Sequence, residues 1–199
     1  MHSKPAAKSA LTPPAAKRAK SGATRAKSAK PATVTKKASA ATSAPASAGT
    51  KAPAFDLESD DGGRASLRSF AGKWLVLYFY PKDNTPGCTR EAQGFTAAAK
   101  ELAKLGAAVA GVSKDSVTTH GGFKEKIGIG FPLLSDPTLA THRAYGAWGK
   151  KVMYGKAVEG VIRSTFLIAP DGEVAKAWRS VKVDGHVEAV LGVLRELQA

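Results

Sequence analysis

The chain has 199 residues, of which 30 are lysine or arginine and 16 are acidic, giving a net charge of +14. Residues 1–50 carry ten of the basic residues and no acidic residue, so most of the excess charge lies in the first quarter of the chain. Neither a run of about 18 apolar residues nor the apolar core of a secretory signal is present, which excludes an ordinary membrane-spanning helix and indicates an intracellular protein.

Residues 1–50 are built almost entirely from alanine, lysine, serine, threonine and proline, similar in composition to the lysine-rich tails of linker histones. Such a segment cannot bury enough apolar surface to offset the entropy lost on ordering, so we predict a disordered basic tail over 1–50 and one domain over 51–199. Ten positive charges without opposing acids suit non-specific contact with DNA. A solvated extension without specific function and a targeting presequence fit the composition equally well.

Predicted strands and helices alternate along residues 51–199. An opening strand near 52–57 precedes the apolar run 74–80, which ends at Pro81 and predicts a central strand buried on both faces. Apolar residues three and four apart then predict a helix from about Cys88 to Gly106. The other predicted elements are strands at 107–112 and 131–136, short helices near 123–126 and 141–148, a hairpin of strands 161–168 and 173–178 with an Asp-Gly turn, and a last helix with Val187, Val190, Leu191, Leu194 and Leu197 on one face. This order predicts an α/β fold with a central mixed β-sheet flanked by helices.

Cys88 is the only cysteine, so no internal disulfide can form. It lies where the loop after the central strand enters a helix, and the unpaired N–H groups and dipole of that helix end favour a thiolate over a thiol. A lone cysteine can also be a small buried apolar residue, and position alone does not decide between these two interpretations. The four histidines lack metal-ligand spacing and no glycine-rich phosphate loop is present, so we predict neither a metal nor a cofactor.

The loop around Cys88 resembles the active site of a known family. Pro81, Thr85 and Cys88 have the spacing of the peroxiredoxin motif, and the stretch 80–92 is similar to the bacterioferritin comigratory protein group, also called peroxiredoxin Q. The similarity continues in the same order at 73–74, 111–113, 131–136 and 163–168. It therefore covers roughly residues 51–199, far more than a short motif would by coincidence.

This resemblance implies a thioredoxin-like fold and a thiol peroxidase acting on hydrogen peroxide and organic hydroperoxides. Cys88 would be the peroxidatic nucleophile that becomes a sulfenic acid. Arg163 would supply a fixed positive charge with two parallel donors. Thr85 would hydrogen-bond the sulfur and the peroxide, while Pro81 would shield the thiolate and fix the loop.

Without the family match these partners have simpler interpretations. Pro81 and Thr85 would be ordinary turn residues. Arg163 lies in an otherwise apolar strand and needs a partner, because an unpaired buried charge is costly. Glu91 could pair with Arg90, cap the start of the helix, or position Arg163, and the first two uses are the simpler ones.

One position departs from the family pattern. Many members of this group carry a second, resolving cysteine five residues after the first, and that position here is Gln93. Oxidised Cys88 must then be reduced by an external thiol, and thioredoxin, glutaredoxin and glutathione are all chemically adequate. We predict a cytoplasmic one-cysteine peroxidase, nucleoid-associated if the tail binds DNA. The alternative function is a nucleic-acid-associated protein whose tail tethers it to DNA.

Overall fold

A computed structural model describes residues 45–153 and 155–199, so residues 1–44 of the predicted tail lie outside the described residues. The helices of the described part are α1 (Pro86–Lys104), α2 (Val117–Ile127), α3 (Ala140–Ala144), α4 (His186–Glu196) and a 3₁₀-helix (Leu67–Phe70). The strands are β1 (Asp56–Ser59), β2 (Arg64–Ser66), β3 (Trp74–Phe79), β4 (Ala107–Ser113), β5 (Leu133–Ser135), β6 (Trp148–Met153), β7 (Lys156–Val161), β8 (Ser164–Ile168) and β9 (Val174–Arg179). None of these helices is both long and apolar enough to cross a membrane.

Seven of the strands form one mixed sheet in the order β2-β1-β5-β4-β3-β8-β9. Strands β3, β4 and β5 are parallel, whereas β8 lies antiparallel beside β3 with Phe79 opposite Ser164. The carboxyl end of β3 and the amino end of β8 therefore lie side by side at the same end of the strands. This register brings Arg163 to the loop after β3, although Arg163 and Cys88 are 75 positions apart in the sequence.

Each face of the sheet has its own core. Tyr78 on one face stacks on Phe95 of α1, Phe123 of α2 belongs to the same core, and all three are almost completely buried. On the other face, Phe79 packs with Tyr145, and buried residues of the segment before β1, such as Phe55, belong to the same core. Adjacent strand residues point to opposite faces, so a continuous apolar run such as β3 is stable only where both faces are covered.

The predicted architecture is confirmed in its main elements. The mixed sheet is flanked by helices, and α1 begins near Cys88 as its apolar spacing indicates. Strands β8 and β9 form the predicted hairpin, with Gly172 at φ 83° in the turn. The last helix buries four of the five residues assigned to its apolar face, but Leu197 is 49% exposed because the helix ends before it.

Several element predictions are wrong in extent, including the opening strand near 52–57, which is observed at Asp56–Ser59. The helix predicted over 141–148 ends at Ala144, since Gly146 adopts a left-handed φ of 65° and Trp148 already begins β6. The strand predicted over 161–168 is interrupted before Ser164, and β6 and β7 form a separate antiparallel hairpin that the sequence pattern did not indicate. The interruption leaves Arg163 outside the ladder and free to turn toward α1.

Contacts with the domain begin before residue 51. Ala46 is buried, and its carbonyl accepts a hydrogen bond from Arg179 at 2.6 Å. The Gly49 N–H donates to the Val174 carbonyl at 2.9 Å, and the Val174 N–H donates to the Thr50 carbonyl at 2.8 Å. Strand β9 is an edge strand of the sheet, and these hydrogen bonds cover the first part of its free edge.

Candidate active site

Cys88 lies in the first turn of α1. The helix follows Thr85 and has proline at its start, where the missing N–H costs no intrahelical bond. The remaining N–H groups of a first turn also lack intrahelical partners, so this end of the helix favours negative charge at the sulfur. The Cys88 side chain is 2% exposed and belongs to the core on the α1 face, which limits the access of water to the thiol.

Arg163 reaches Cys88 from the residue before β8. Its Nη2 donates to the Cys88 Sγ at 3.3 Å, and its Nη1 donates to a carboxylate oxygen of Glu91. The structure therefore brings Arg163 and Cys88 together, as the resemblance implied. Because only 15% of the Arg163 side chain is exposed, its charge is weakly screened by water and acts strongly on the sulfur.

Glu91 is the acidic partner of Arg163. It lies on the same buried face of α1 as Cys88 and is 1% exposed, whereas Arg90 pairs with Asp184 at 2.9 Å on the surface. The preference for an Arg90 bridge or a helix cap is therefore wrong, because a buried carboxylate needs a buried cation. Burial lowers the pKa of Arg163, but the charges of Glu91 and Cys88 outweigh it and raise that pKa overall. The guanidinium consequently stays charged.

Thr85 and Pro81 lie on the loop between β3 and α1. The Thr85 hydroxyl donates to the Lys82 carbonyl at 3.0 Å. A hydroxyl has a single proton, so in this arrangement it is not directed at the sulfur, and a rotation about the Cα–Cβ bond would be needed for the predicted contact. Pro81 is half-buried and lies two residues after the end of β3, in the first part of the loop.

Two titratable groups near Arg163 have shifted pKa values, and the two shifts change the free energy of unfolding with pH in opposite directions. Burial raises the pKa of Glu91 from 4.5 to about 7, against the opposing effect of Arg163. Burial lowers the pKa of His186 from 6.5 to about 4, and the charge of Arg163 acts in the same direction. Relative to the unfolded chain, the folded protein thus binds an extra proton at Glu91 and one fewer at His186. As pH rises from 4.5 to about 7, Glu91 lowers the free energy of unfolding. As pH rises from about 4 to 6.5, His186 raises it.

Glu91→Gln is expected to remove the decrease in the free energy of unfolding that Glu91 causes as pH rises. The free energy of unfolding of the variant, relative to wild type, should increase as pH rises from 4.5 to about 7, by up to about 3 kcal/mol since one pKa unit is about 1.4 kcal/mol. Denaturant titrations at several pH values in this range measure it, and His186→Asn should give the opposite slope. A Glu91→Gln difference that is independent of pH would contradict the buried, late-titrating carboxyl.

The chain was compared with known proteins. Residues 48–177 match the AhpC/TSA family. The chain is 51% identical to Peroxiredoxin Bcp of Xanthomonas campestris over 146 residues, which are 72% of this chain and 91% of that protein. It is 45% identical to Peroxiredoxin Bcp of Bacillus subtilis over 149 residues, 75% of this chain and 95% of that protein. This chain belongs to the peroxiredoxins of the AhpC/TSA family.

Solved structures agree with this assignment. Peroxiredoxin Q of Xanthomonas campestris superposes on this peroxiredoxin with a TM-score of 0.68 and 51% identity, covering 71% of this chain and 90% of that chain. A structure concerned with alkyl peroxide reduction by the bacterioferritin comigratory protein of the same organism has a TM-score of 0.70 and 49% identity, covering 73% and 92% of the two chains. The predicted thioredoxin-like peroxiredoxin fold and the predicted thiol peroxidase activity are thereby confirmed.

The number of cysteines differs between this peroxiredoxin and its solved relative. Peroxiredoxin Q of Xanthomonas campestris has been solved with serine in place of either of two cysteines, so that protein carries at least two. This chain has Cys88 alone, and Gln93 is exposed on α1. The cycle that regenerates the thiol must therefore use a sulfur from outside this chain.

Proposed function

We propose that Cys88 is the residue of this peroxiredoxin that reacts with the hydroperoxide. Its thiolate attacks the terminal peroxide oxygen, and the S–O bond forms as the O–O bond breaks. The leaving oxygen takes up a proton and departs as water or an alcohol, while Cys88 becomes a sulfenic acid. Sulfur loses two electrons and the peroxide gains two. The observation that carries the proposal is the 3.3 Å contact between the Cys88 sulfur and the Arg163 guanidinium.

Arg163 stabilises the charge that moves during this step. Negative charge passes from the sulfur to the leaving oxygen, so a fixed donor beside both atoms lowers the barrier more than it stabilises the resting thiolate. Glu91 holds one side of the guanidinium, which leaves Nη2 directed at the sulfur. Holding the cation in advance avoids the cost of orienting it in the transition state.

Thr85 and Pro81 complete the proposed site. After releasing the Lys82 carbonyl, the Thr85 hydroxyl donates to the peroxide and aligns it with the sulfur. Pro81 keeps water away from the thiolate and limits the motion of the loop. The alkyl peroxide reduction described for the bacterioferritin comigratory protein of Xanthomonas campestris supports organic hydroperoxides, besides hydrogen peroxide, as substrates of this chain.

An external thiol closes the cycle. A thiolate from thioredoxin, glutaredoxin or glutathione attacks the Cys88 sulfenic acid and releases water, and a second thiol then reduces the mixed disulfide. Because Cys88 is 2% exposed, the first turn of α1 must move to admit a second sulfur. A reducing compartment suits a chain with one free thiol, so we place the protein in the cytoplasm.

The stoichiometry of peroxide consumption tests this proposal. Without added thiol, the protein should rapidly consume about one equivalent of peroxide per chain and show no turnover, since further loss is limited to the slower oxidation of the sulfenic acid to the sulfinic and sulfonic states. Hydrogen peroxide and an organic hydroperoxide are assayed with the thioredoxin, glutaredoxin and glutathione systems in turn, and at least one system should make consumption catalytic. Catalytic consumption without any thiol would contradict the one-cysteine cycle. Failure to consume the first equivalent would contradict the role of Cys88.

The contact of residues 1–50 with DNA, and a nucleoid location with it, stays a prediction from composition. Residues 1–44, which carry all ten basic residues of that segment, lie outside the described residues. The peroxidase proposal does not depend on this contact.

A further inference from the structure

A buried carboxylate holds the loop that carries the reactive cysteine. Asp83 lies between Pro81 and Thr85 and is 3% exposed. One of its oxygens accepts a hydrogen bond from the Tyr80 hydroxyl at 2.7 Å, and the other lies 2.8 Å from Nδ1 of His120. An ionised carboxylate can only accept, so Nδ1 donates in this bond. We call the Tyr80, Asp83 and His120 side chains the loop anchor.

The backbone of Asp83 is held as well. Its N–H donates to Oδ2 of Asp115 at 2.9 Å, and the Ser113 hydroxyl donates to the same oxygen at 2.8 Å. Asp115 lies between β4 and α2 and His120 lies on α2, so the two attachments join the loop to the connection after β4 and to α2 itself. The position of the loop therefore depends on residues 32 and 37 positions away in the sequence.

Asn84 shows what the loop anchor must maintain. Its φ of 60° lies in the left-handed region, which residues with side chains adopt rarely and asparagine adopts more readily than most. It connects Asp83 to Thr85, the residue before α1. Such conformations persist where the surroundings fix them, and here the loop anchor fixes one side and α1 the other.

We infer that His120 is a positioning residue for the peroxidase site, acting through Asp83 on Thr85 and Cys88. This inference rests on the proposed role of Cys88. His120 is completely buried, so it supports the loop from inside the protein and does not meet the peroxide. Without the imidazole, the Asp83 carboxylate would keep a buried charge with fewer donors, a state more costly than the lost bond itself. The loop would shift to hydrate that carboxylate and would carry the start of α1 with it.

The chain offers a matched control on the opposite face of the sheet. His142 is also completely buried, and its Nδ1 lies 2.7 Å from Oδ2 of Asp136. In both histidines, Nε2 is buried and has no hydrogen-bond partner among the described residues. Asp136 follows β5 and not β3. Replacing His142 therefore removes a buried histidine–aspartate bond while the hydrogen bonds of Asp83 to Tyr80, His120 and Asp115 stay in place.

His120→Leu is expected to lower the rate constant for oxidation of Cys88 by hydrogen peroxide about tenfold or more, because a misplacement of about 1 Å is enough for such a loss. His142→Leu should stay within about twofold of wild type, because it leaves the hydrogen bonds of Asp83 intact and keeps an apolar side chain beside Phe79, which the His142 ring contacts edge-on with 5.1 Å between ring centroids. His120→Asn can place its amide nitrogen where Nδ1 was and should recover most of the rate. The rates come from the loss of free thiol after mixing with excess peroxide, and thermal unfolding checks that each variant is folded.

A second readout separates this inference from the proposed function. Alkylation of Cys88 by iodoacetamide involves no peroxide, and its rate should change in His120→Leu and not in His142→Leu. If wild type left peroxide unreduced while this difference persisted, the proposed function would fail and the positioning role would stand. Equal rates in the two leucine variants in both assays would overturn the positioning role.

A milder variant covers the case in which His120→Leu does not fold. Tyr80→Phe removes one hydroxyl donor from Asp83 and keeps the buried ring. A loss of at least about threefold in the oxidation rate supports the loop anchor, because a hydrogen bond to a charged carboxylate is worth more than a neutral one. An unchanged rate in folded Tyr80→Phe overturns it.

Discussion

Cys88→Ser is expected to abolish peroxide consumption, with and without an added thiol. The chain has no other sulfur that could be oxidised reversibly except its two methionines, and a serine hydroxyl is not ionised at neutral pH. The loss should be complete within the sensitivity of an assay that follows the disappearance of hydrogen peroxide. Turnover equal to that of wild type would contradict the role of Cys88 as nucleophile.

The substitution should leave the fold intact, which makes the loss interpretable. Serine differs from cysteine at one atom, and its hydroxyl can still accept from the Arg163 guanidinium that now donates to the sulfur. Circular dichroism and the midpoint of thermal unfolding should therefore stay close to the wild-type values. Wild-type protein alkylated at Cys88 provides an independent control, because it should lose the same activity without any change in sequence.

Arg163→Lys is expected to lower the rate constant for oxidation of Cys88 by about 10²- to 10³-fold, the range measured when one transition-state donor is removed. Lysine keeps the charge but cannot donate in two parallel directions, so it cannot hold Glu91 and the Cys88 sulfur at the same time. Rapid mixing with hydrogen peroxide, followed by quantification of the free thiol, measures the rate. A loss of less than about threefold would mean that a positive charge alone is sufficient and that the two parallel hydrogen bonds are not required.

Arg179→Lys is the matched control for this prediction. Arg179 lies at the same edge of the sheet, opposite Ser164, and its guanidinium donates to the carbonyls of Tyr145, Gly146 and Ala46. Its replacement should lower stability through lost backbone contacts while the oxidation rate stays within about twofold of wild type, because these hydrogen bonds go to Tyr145, Gly146 and Ala46 and not to Cys88 or Arg163. Similar rate losses in the Arg163 and Arg179 variants would indicate that both substitutions destabilise this end of β8 and β9, and not that Arg163 has a specific role.

The place of Cys88 could be read from local sequence because its signals are local. A continuous apolar run ended by Pro81, followed by helical spacing, puts the cysteine at the start of a helix. Arg163 is different, since only the family resemblance singled it out. Its approach depends on the antiparallel register of β3 and β8, which joins segments distant in sequence and has no local signature.

The burial of Glu91 is indicated by the helical spacing of its neighbours in the sequence. Cys88, Glu91, Ala92 and Phe95 recur at three- and four-residue steps and are all buried on α1. That spacing places the carboxylate on the apolar face of the helix, where neither Arg90 nor solvent can pair with it. Acidic residues are mostly exposed, but at Glu91 the helical spacing indicates burial, and the residue is buried.

The loop anchor and the β6–β7 hairpin could not have been found in this way. Asp83 and His120 are 37 positions apart and are joined by the packing of α2 beside the loop. The hairpin contains lysines and glycines in both strands, so its polarity pattern does not resemble that of a core strand. Pairing between its strands, and not an apolar face, defines it.

Trapping the oxidised thiol tests the central claim most directly. Wild-type protein is mixed with one equivalent of hydrogen peroxide in the presence of dimedone, which reacts with sulfenic acids, and the modified peptide is identified by mass spectrometry. A single adduct on Cys88, absent from Cys88→Ser and formed faster in wild type than in Arg163→Lys, is the predicted result. Peroxide consumption that leaves Cys88 as a free, unmodified thiol would contradict the assignment of this peroxiredoxin's chemistry to that residue.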